Sequence, residues 1–374
     1  MTTDTEAEKQ AGDDAADLKT AVTTSVTEAE RHAPTTDESA LQAESEQDFP
    51  DNDSAIGDDA ASSTASINSS IMAYRTENGR TYHAFRESIN YVLPNDSVSE
   101  LYGYREHRLI GVDLQHHLFT LTLGGKLFLS PIGDTKHLSR VLDAGTGTGV
   151  WAIDFADAHP ETEVIGIDLS PIQPNFLPTN LQFQVDDLED EWTFSYNFDF
   201  IFARMMTGSI GDFPKFFAQS FNALSPGGWV ECQDITFPAQ CDDDTLKKDS
   251  YIEQWSSLMI EATNKFGRTA ESAKFYKQQM IDAGFVNVTE VVYKWPSNKW
   301  PADPYYKELG FWCNHNIAGE LSGLSMVLFT KGLGWSPEEV EVFLAKVRTD
   351  MKDRRIHAWW PIHVVYGQKP EAQV

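Results

Sequence analysis

Three glycines at alternate positions constrain this chain more than any other feature of its sequence. Gly145, Gly147 and Gly149 follow a short apolar segment, 140–144, and precede a segment, 149–158, with the composition of a helix. Glycine permits tight turns and a close ligand approach, and the N-terminus of a helix presents N–H donors. The pattern predicts a strand, a ligand-binding turn and a helix, in that order.

Strand-like and helix-like segments alternate after residue 139. The predicted strands are 140–144, 163–168, 181–185, 198–203, 229–233, 286–293 and one within 356–367. The predicted helices are 149–158, 212–224, 243–266 and 270–283. This alternation predicts an α/β fold with a mostly parallel, seven-stranded sheet that is covered on both faces. The sixth strand should run parallel to the fifth, because a long helical connection joins them.

The first 70 residues differ from the rest in composition. They carry three basic and seventeen acidic residues, which is half of the net charge of −28, and their only aromatic residue is Phe49. Such a segment buries too little apolar surface to offset chain entropy, so 1–70 is predicted to be a disordered acidic tail. Residues 71–134 are predicted to form an N-terminal helical cap, and 135–374 the main domain.

An insert at about 295–354 separates the last two predicted strands. Ser336 and Glu339 have the spacing of a capping box, and a helical stripe of apolar residues from Val340 to Val347 follows them. We interpret that stripe as core packing. Because the sixth strand should end on the ligand-binding side of the sheet, the insert is predicted to form a substrate lid together with helices from 71–125.

Composition excludes several classes of protein. No apolar stretch reaches the ~18 residues of a membrane span, and the acidic N-terminus lacks the features of a secretory signal or a transit peptide. The net charge of −28 argues against direct nucleic-acid binding. Three cysteines without a CxxC pair, and without histidines at ligand spacing, predict neither disulfides nor a metal site. We expect an intracellular protein, cytoplasmic or nuclear.

Two kinds of ligand compete for the glycine turn. A dinucleotide site has the pattern GxGxxG, with an acidic residue about 20 positions later. This chain has GxGxG instead, and Asp143 stands two residues before the first glycine. A carboxylate there suits a cofactor with a cationic amino group better than a pyrophosphate. A second acid, Asp168, ends the next predicted strand and is placed to accept hydrogen bonds from ribose hydroxyls.

The spacing DxGxGxG, followed by an acid after the next strand, resembles motif I of class I S-adenosylmethionine (SAM) methyltransferases. Three further segments match that superfamily in order: 186–188, 198–201 and 224–229. The resemblance implies a Rossmann-like methyltransferase fold with SAM as its cofactor. The cofactor-binding residues that it implies are Asp143, Gly145, Thr146, Gly147, Gly149, Asp168, Leu169, Asp187, Leu188 and Ala203.

A narrower resemblance covers most of 76–370. Its motifs are 78–83 (NGRTYH), 93–96 (LPND), 113–117 (DLQHH), 168–174 (DLSPIQP), 241–243 (CDD), 282–285 (DAGF), 356–358 (IHA) and 363–370 (HVVYGQKP). Together they are similar to the fungal LaeA-like methyltransferase group. That resemblance implies one of two roles. One is an enzyme that methylates a small molecule in fungal secondary metabolism. The other is a nuclear regulator of secondary metabolism that works with velvet-type protein partners.

The residue that activates the acceptor is less well defined by the sequence. A base is needed only if the acceptor holds its proton, and positioning can supply much of the rate. The candidates are His83, Arg204 and Asp234; the last two lie just beyond the fourth and fifth predicted strands, where ligands of open α/β sheets bind. His116 and His117 are adjacent on a predicted helix, so they point about 100° apart and cannot share one site.

The acceptor itself has one further signal, an aromatic insert. Its members could wall an apolar pocket or could simply be core. They are Trp295, Trp300, Tyr305, Tyr306, Phe311 and Trp312.

Overall fold

The computed structural model describes residues 41–43, 75–77, 80–82, 114–132 and 137–372. Its centre is a seven-stranded sheet with the strand order β5-β4-β3-β6-β7-β9-β8. The strands are β3 (Arg140–Ala144), β4 (Glu163–Asp168), β5 (Leu181–Val185), β6 (Phe198–Arg204), β7 (Leu224–Ile235), β8 (Val286–Pro296) and β9 (Trp359–Gln368). The predicted α/β fold is confirmed.

Strands β3 to β7 are mutually parallel wherever they pair. Strand β9 is antiparallel to both of its neighbours, β7 and β8. Strand β8 therefore runs in the same direction as β7, as the sequence predicts, although β9 lies between them. The carboxyl ends of β3, β4, β6 and β7 consequently meet at one edge of the sheet, the edge at which open α/β sheets bind ligands.

Helices cover the sheet. They are α1 (Leu114–Thr122), α2 (Val150–Ala158), α3 (Phe213–Ala223), α4 (Tyr251–Lys265), α5 (Tyr276–Asp282), α6 (Pro304–Val327) and α7 (Pro337–Lys352). Because both faces are covered, central strand β6 is almost entirely apolar. Its buried Asp199 is satisfied by the backbone N–H groups of Ser139 and Arg140, at 2.7 and 3.2 Å.

Helix α2 packs on the face of the sheet that carries alternate aromatic residues of β6. Trp151 stacks on Phe202 with ring centroids 3.8 Å apart and is itself stacked by Phe155. The indole N–H of Trp151 donates to the carbonyl oxygen of Leu127 at 3.0 Å. These contacts fix the first turn of α2, and with it the end of the glycine turn that precedes this helix.

Three predicted boundaries differ from the structure. Helix α4 begins at Tyr251, not at 243, because Ser250 caps it by accepting from the backbone N–H of Glu253. The predicted helix at 270–283 is a 3₁₀ turn, Ser272–Phe275, followed by α5. The predicted strand at 229–233 is longer, since β7 begins at Leu224 and its pairing with β6 shifts between Phe198↔Leu224 and Phe200↔Trp229.

The insert between β8 and β9 is helical. Helix α6 passes into a π-helical segment, Leu328–Leu333, and α7 follows with the predicted capping box between Ser336 and Glu339. Val340, Leu344 and Val347 of the predicted stripe are buried in the core, which confirms that interpretation. Trp295 and Trp300 are also buried, and their indole N–H groups donate to Thr122 Oγ1 and to the Ala358 carbonyl.

The N-terminal part departs from two predictions. Strands β1 (Arg75–Glu77) and β2 (Arg80–Tyr82) pair antiparallel, so the expectation of a helical cap over 71–134 is wrong for these residues. Local strand pairing satisfies their backbone groups instead. Within the predicted disordered tail, Ala43 pairs with Pro301, and the Gln42 carbonyl accepts from the Ala302 N–H at 2.8 Å. A backbone hydrogen bond to the insert thus places 41–43, and the rest of the predicted disordered tail lies outside the described residues.

Within the described ranges, no helix is both long and apolar enough to cross a membrane. The same ranges contain no group of three or more His, Cys, Asp and Glu side chains that could hold a metal ion. All three cysteines are free thiols.

Candidate functional site

The glycine turn between β3 and α2 has a backbone that requires glycine. Gly145, Gly147 and Gly149 have φ angles of +80°, +56° and +82°, in the left-handed region. A Cβ on Gly145 would clash with the Met206 sulfur, whereas a Cβ on Gly147 would meet nothing within 4 Å. The turn is therefore packed tightly at its first glycine and open at its second.

Side chains from the ends of β3 and β4 hold this turn. One oxygen of Asp168 accepts from the Gly147 N–H at 2.9 Å, and the other accepts from the Ser170 N–H at 3.0 Å. The side-chain amide of Gln173 donates to the Gly147 carbonyl at 2.7 Å. Asp143 accepts from the Thr146 hydroxyl at 2.6 Å. The predicted ribose partner, Asp168, thus also fixes the conformation of the turn.

A cleft opens above the turn, and we call it the glycine-turn cleft. It is lined by Gln115, Asp143, Gly145, Thr146, Gly147, Thr148, Val150, Trp151, Phe202 and Arg204. Its walls carry two groups of opposite charge, the Asp143 carboxylate and the Arg204 guanidinium. A ligand end with both a cationic and an anionic group would find a complementary charge for each.

A second cleft, the acidic cleft, lies beyond the carboxyl end of β4. It is lined by Ile167, Asp186, Asp187, Leu188, Glu191, Trp192, Thr193 and Phe194. One carboxylate oxygen of Asp187 accepts a hydrogen bond from the backbone N–H of Glu189 at 2.9 Å. The carboxylates and the Trp192 ring give this cleft acceptors beside an apolar surface, a combination that suits a flat heterocycle with an amino group.

Asp143 is the more unusual acid of the site. It is only 3% exposed, and burial raises its pKa to about 6, although the Thr146 hydroxyl and the nearby Arg204 both favour its charged form. Asp168 raises the pKa of Asp143 further through like charge. A cationic ligand group beside Asp143 would reverse these effects and favour the carboxylate.

Arg204, a candidate from the sequence, ends β6 and lines the glycine-turn cleft. Its Nη2 lies 3.1 Å from Nδ1 of His116, and Nε2 of His116 lies 3.0 Å from the Asp154 carboxylate. The guanidinium also lies over the Phe119 ring, 5.1 Å from its centroid. His116 is buried between α1 and α2, and sequence reasoning missed its contact with Arg204.

Asp234, the second candidate, serves the loop after β6. It is 1% exposed and accepts from the N–H groups of Met206 and Thr207, each at 3.0 Å, and from the Tyr276 hydroxyl at 2.8 Å. Burial raises its pKa to about 6. Its oxygens are used by the protein, and its side chain is not part of either cleft wall. This placement makes Asp234 a residue that positions the loop.

Three other histidines make contacts within the protein, and a fourth lies outside the described residues. His83, the third candidate, lies outside the described residues. The His117 ring packs edge-on against Trp312 at 4.8 Å, so it points away from its neighbour His116, as expected from their spacing. His357 and His363 bond the carboxylates of Asp243 and Glu290.

The predicted cofactor residues fall into four groups. Asp143, Gly145, Thr146 and Gly147 line the glycine-turn cleft, and Asp187 and Leu188 line the acidic cleft. Asp168 and Leu169 line neither cleft, but Asp168 follows Ile167 of the acidic cleft and accepts from the Gly147 N–H of the glycine-turn cleft. Gly149 caps α2, and Ala203 is buried in the core beneath the site. Gln115, Trp151 and Phe202 were missed, because an apolar or helical residue gives no sequence signal that it will line a cleft.

Comparison with known proteins agrees with this geometry. A methyltransferase-domain family model matches residues 114–290. Methyltransferase pytC of Aspergillus terreus is 38% identical over 83% of this chain and 93% of its own length. Secondary metabolism regulator LAE1 of Cochliobolus heterostrophus is 35% identical over 79% and 94%. Protein-methionine methyltransferase laeA of Emericella nidulans is 31% identical over 84% and 81%.

The sheet order, the glycine turn and these relatives define a class I methyltransferase that uses SAM as its cofactor. The chain belongs to the fungal LaeA-like family of these enzymes.

Proposed function

We propose that SAM spans the two clefts, with its methionine end in the glycine-turn cleft and its adenine in the acidic cleft. The observation that carries this proposal is the position of Asp168 between them. It follows Ile167, which lines the acidic cleft, and it bonds Gly147, which lines the glycine-turn cleft. A ribose placed at Asp168 would join the two ends of the cofactor.

The residues present fit the cofactor. The buried Asp143 carboxylate suits the amino group of methionine, and the open space above Gly147 leaves room for a ligand against the backbone. Asp187 and Leu188 would hold the adenine. SAM supplies an electrophilic methyl group, and these residues orient it for in-line displacement by an acceptor.

Calorimetric titration with S-adenosylhomocysteine tests this placement. Gly147→Val, which fills the open space, should abolish binding, and Asp168→Ala should weaken it. Gly334→Val is the matched control, because Gly334 has a φ of +79° and a Cβ there would also meet nothing within 4 Å. It imposes the same backbone strain away from the clefts. Full binding by the double variant Gly147→Val/Asp168→Ala would contradict the proposal.

We further propose that the acceptor is a small molecule of fungal secondary metabolism. The support is kinship with methyltransferase pytC at 38% identity over most of both chains. The aromatic residues of the insert support a pocket for a small-molecule acceptor less than their number suggests, since Trp295 and Trp300 are core residues. Incubation with methyl-labelled SAM and a fungal extract should put label into the small-molecule fraction, and Asp143→Asn should remove that label.

A second candidate function is regulation through a protein partner, such as a velvet-type protein. Two relatives at 31–35% identity carry names of this kind, a secondary metabolism regulator and a protein-methionine methyltransferase. Under this reading the same extract would give label in protein only. Affinity capture from fungal cells, with localisation of a fluorescent fusion, separates the two: a nuclear complex favours regulation, and exclusion from the nucleus counts against it.

A further inference from the structure

Three side chains from three different elements form a continuous array beside the glycine-turn cleft. Arg204 comes from the end of β6, His116 from α1 and Asp154 from α2. The distances are 3.1 Å from Arg204 Nη2 to His116 Nδ1 and 3.0 Å from His116 Nε2 to Asp154. His116 is 4% exposed, whereas the Asp154 side chain is 49% exposed. The array therefore runs from the surface, through a buried histidine, to the wall of the cleft.

The contacts define the role of each histidine nitrogen. A guanidinium can only donate, so Nδ1 of His116 accepts, and Nε2 carries the proton that is donated to Asp154. The carboxylate thereby fixes both the tautomer and the ring orientation of His116, and His116 fixes the rotamer of Arg204. The Phe119 and Phe202 rings lie 5.1 and 6.0 Å from the guanidinium carbon and limit its motion further.

We propose that Arg204 is the anchor for the carboxylate of the methionine end of SAM, and that His116 and Asp154 are its positioning residues. This inference rests on the proposed placement of SAM. The methionine end carries an ammonium and a carboxylate, and the cleft wall carries Asp143 and Arg204. Since Asp143 takes the ammonium, the carboxylate falls to the guanidinium, whose planar fork matches it in geometry and charge.

The array also connects the cofactor cleft to the insert. Helix α1 carries His116 near its start and Thr122 at its end. Thr122 accepts from the Trp295 indole at 2.7 Å through its hydroxyl, and its carbonyl accepts from the Tyr305 hydroxyl at 3.1 Å. The orientation of Arg204 thus depends on a helix that the insert region holds at its other end.

A pair of ligands that differ in one group tests the role of Arg204. S-adenosylhomocysteine carries the carboxylate, and its decarboxylated analogue lacks it. Arg204→Gln should weaken the binding of S-adenosylhomocysteine by about 10- to 100-fold, as expected for a lost charged hydrogen bond. It should weaken the binding of the decarboxylated analogue by less than about threefold. The matched control is Arg140→Gln, because Arg140 is also half-buried but pairs with Glu163 at the opposite edge of the sheet.

The outcomes are distinct. Equal weakening of both ligands by Arg204→Gln would overturn this inference and leave the proposed function intact. A wild-type protein that binds neither ligand would overturn the proposed function, and this inference with it. Loss of affinity for S-adenosylhomocysteine in Arg140→Gln, equal to that in Arg204→Gln, would also overturn the inference, because the effect would then be general.

Variants of the positioning residues complete the test. His116→Leu should weaken the binding of S-adenosylhomocysteine more than the binding of its decarboxylated analogue. His116→Gln keeps a hydrogen-bond acceptor and a donor, so it should recover part of the affinity for S-adenosylhomocysteine. Asp154→Ala keeps the fold testable because its carboxylate is half exposed, and it should cause a smaller loss with the same selectivity. If these variants reduced thermal stability and weakened both ligands alike, His116 and Asp154 would be structural and the positioning role would be overturned.

Discussion

Two buried aspartates lie near the carboxyl ends of two strands at the same edge of the sheet, and they differ in what their oxygens contact. Asp143 is the penultimate residue of β3 and Asp234 that of β7. Both are almost fully buried, and burial raises the pKa of each to about 6. Asp143 lines the glycine-turn cleft and accepts from Thr146, whereas Asp234 accepts from Met206, Thr207 and Tyr276.

A raised pKa at a sheet edge therefore does not by itself identify a catalytic group. The carboxylate of Asp234 satisfies buried backbone and hydroxyl donors of its own chain. The carboxylate of Asp143 faces a cleft in which a ligand can meet it. We therefore expect changes at Asp234 to appear in stability and changes at Asp143 to appear in cofactor affinity.

Asp234→Ala should give the largest effect. It leaves the N–H groups of Met206 and Thr207 and the Tyr276 hydroxyl without their acceptor, and at ~1–3 kcal/mol for each buried donor the free energy of unfolding should fall by about 4 kcal/mol. Urea denaturation measures this loss. The folded fraction should still bind S-adenosylhomocysteine within about tenfold of wild type, and a complete loss of binding in folded protein would make Asp234 a site residue.

Asp143→Ala should have the opposite profile. Removing the partner of the ligand ammonium should weaken S-adenosylhomocysteine binding by about 100-fold, in the range of a broken, desolvated charge pair. The free energy of unfolding should change by only about 1 kcal/mol, because Asp143 accepts one hydrogen bond, from the Thr146 hydroxyl, whereas Asp234 accepts from three donors. A strong destabilisation with intact binding would reverse the comparison.

Tyr276→Phe should give the smallest effect. It removes one of the donors to Asp234 and leaves the backbone donors of the loop in place. The expected cost is about 1 kcal/mol in the free energy of unfolding, with no change in affinity for S-adenosylhomocysteine. Thermal denaturation beside a binding isotherm would detect both. A binding defect here would mean that the loop after β6 responds to α5 more than its contacts suggest.

Much of the fold could be predicted because local signals agreed with one another. The glycine turn, the apolar run of β6 and the capping box at Ser336 each specify a local conformation without help from distant residues. The start of α4 could not be placed, since Asp243 and Ser250 are both good capping residues, and the Asp243 carboxylate is used by Thr245 and by the distant His357 instead. The antiparallel pairing of 75–77 with 80–82 likewise depends on contacts that composition does not encode.

Site residues that follow directly after strands could be predicted from the sequence, whereas contacts between residues distant in sequence could not. Asp143 and Asp187 follow from their positions after strands, because parallel strands bring their carboxyl ends together. The same argument places Arg204 and Asp234 at that edge, but it does not say which face of the sheet each side chain takes. The contact between His116 and Arg204 joins residues 88 positions apart, and no local sequence pattern predicts it.

The pH dependence of cofactor binding tests most directly the claim that Asp143 receives the ammonium of SAM. The ligand-free protein holds a proton on Asp143 below its pKa of about 6, and the ammonium requires the carboxylate, so binding expels that proton. Affinity for S-adenosylhomocysteine should therefore rise about tenfold between about pH 5 and pH 7 and then level off, while Asp143→Asn should bind weakly with no such rise. A flat profile in the wild type, or the same rise in Asp143→Asn, would contradict the account.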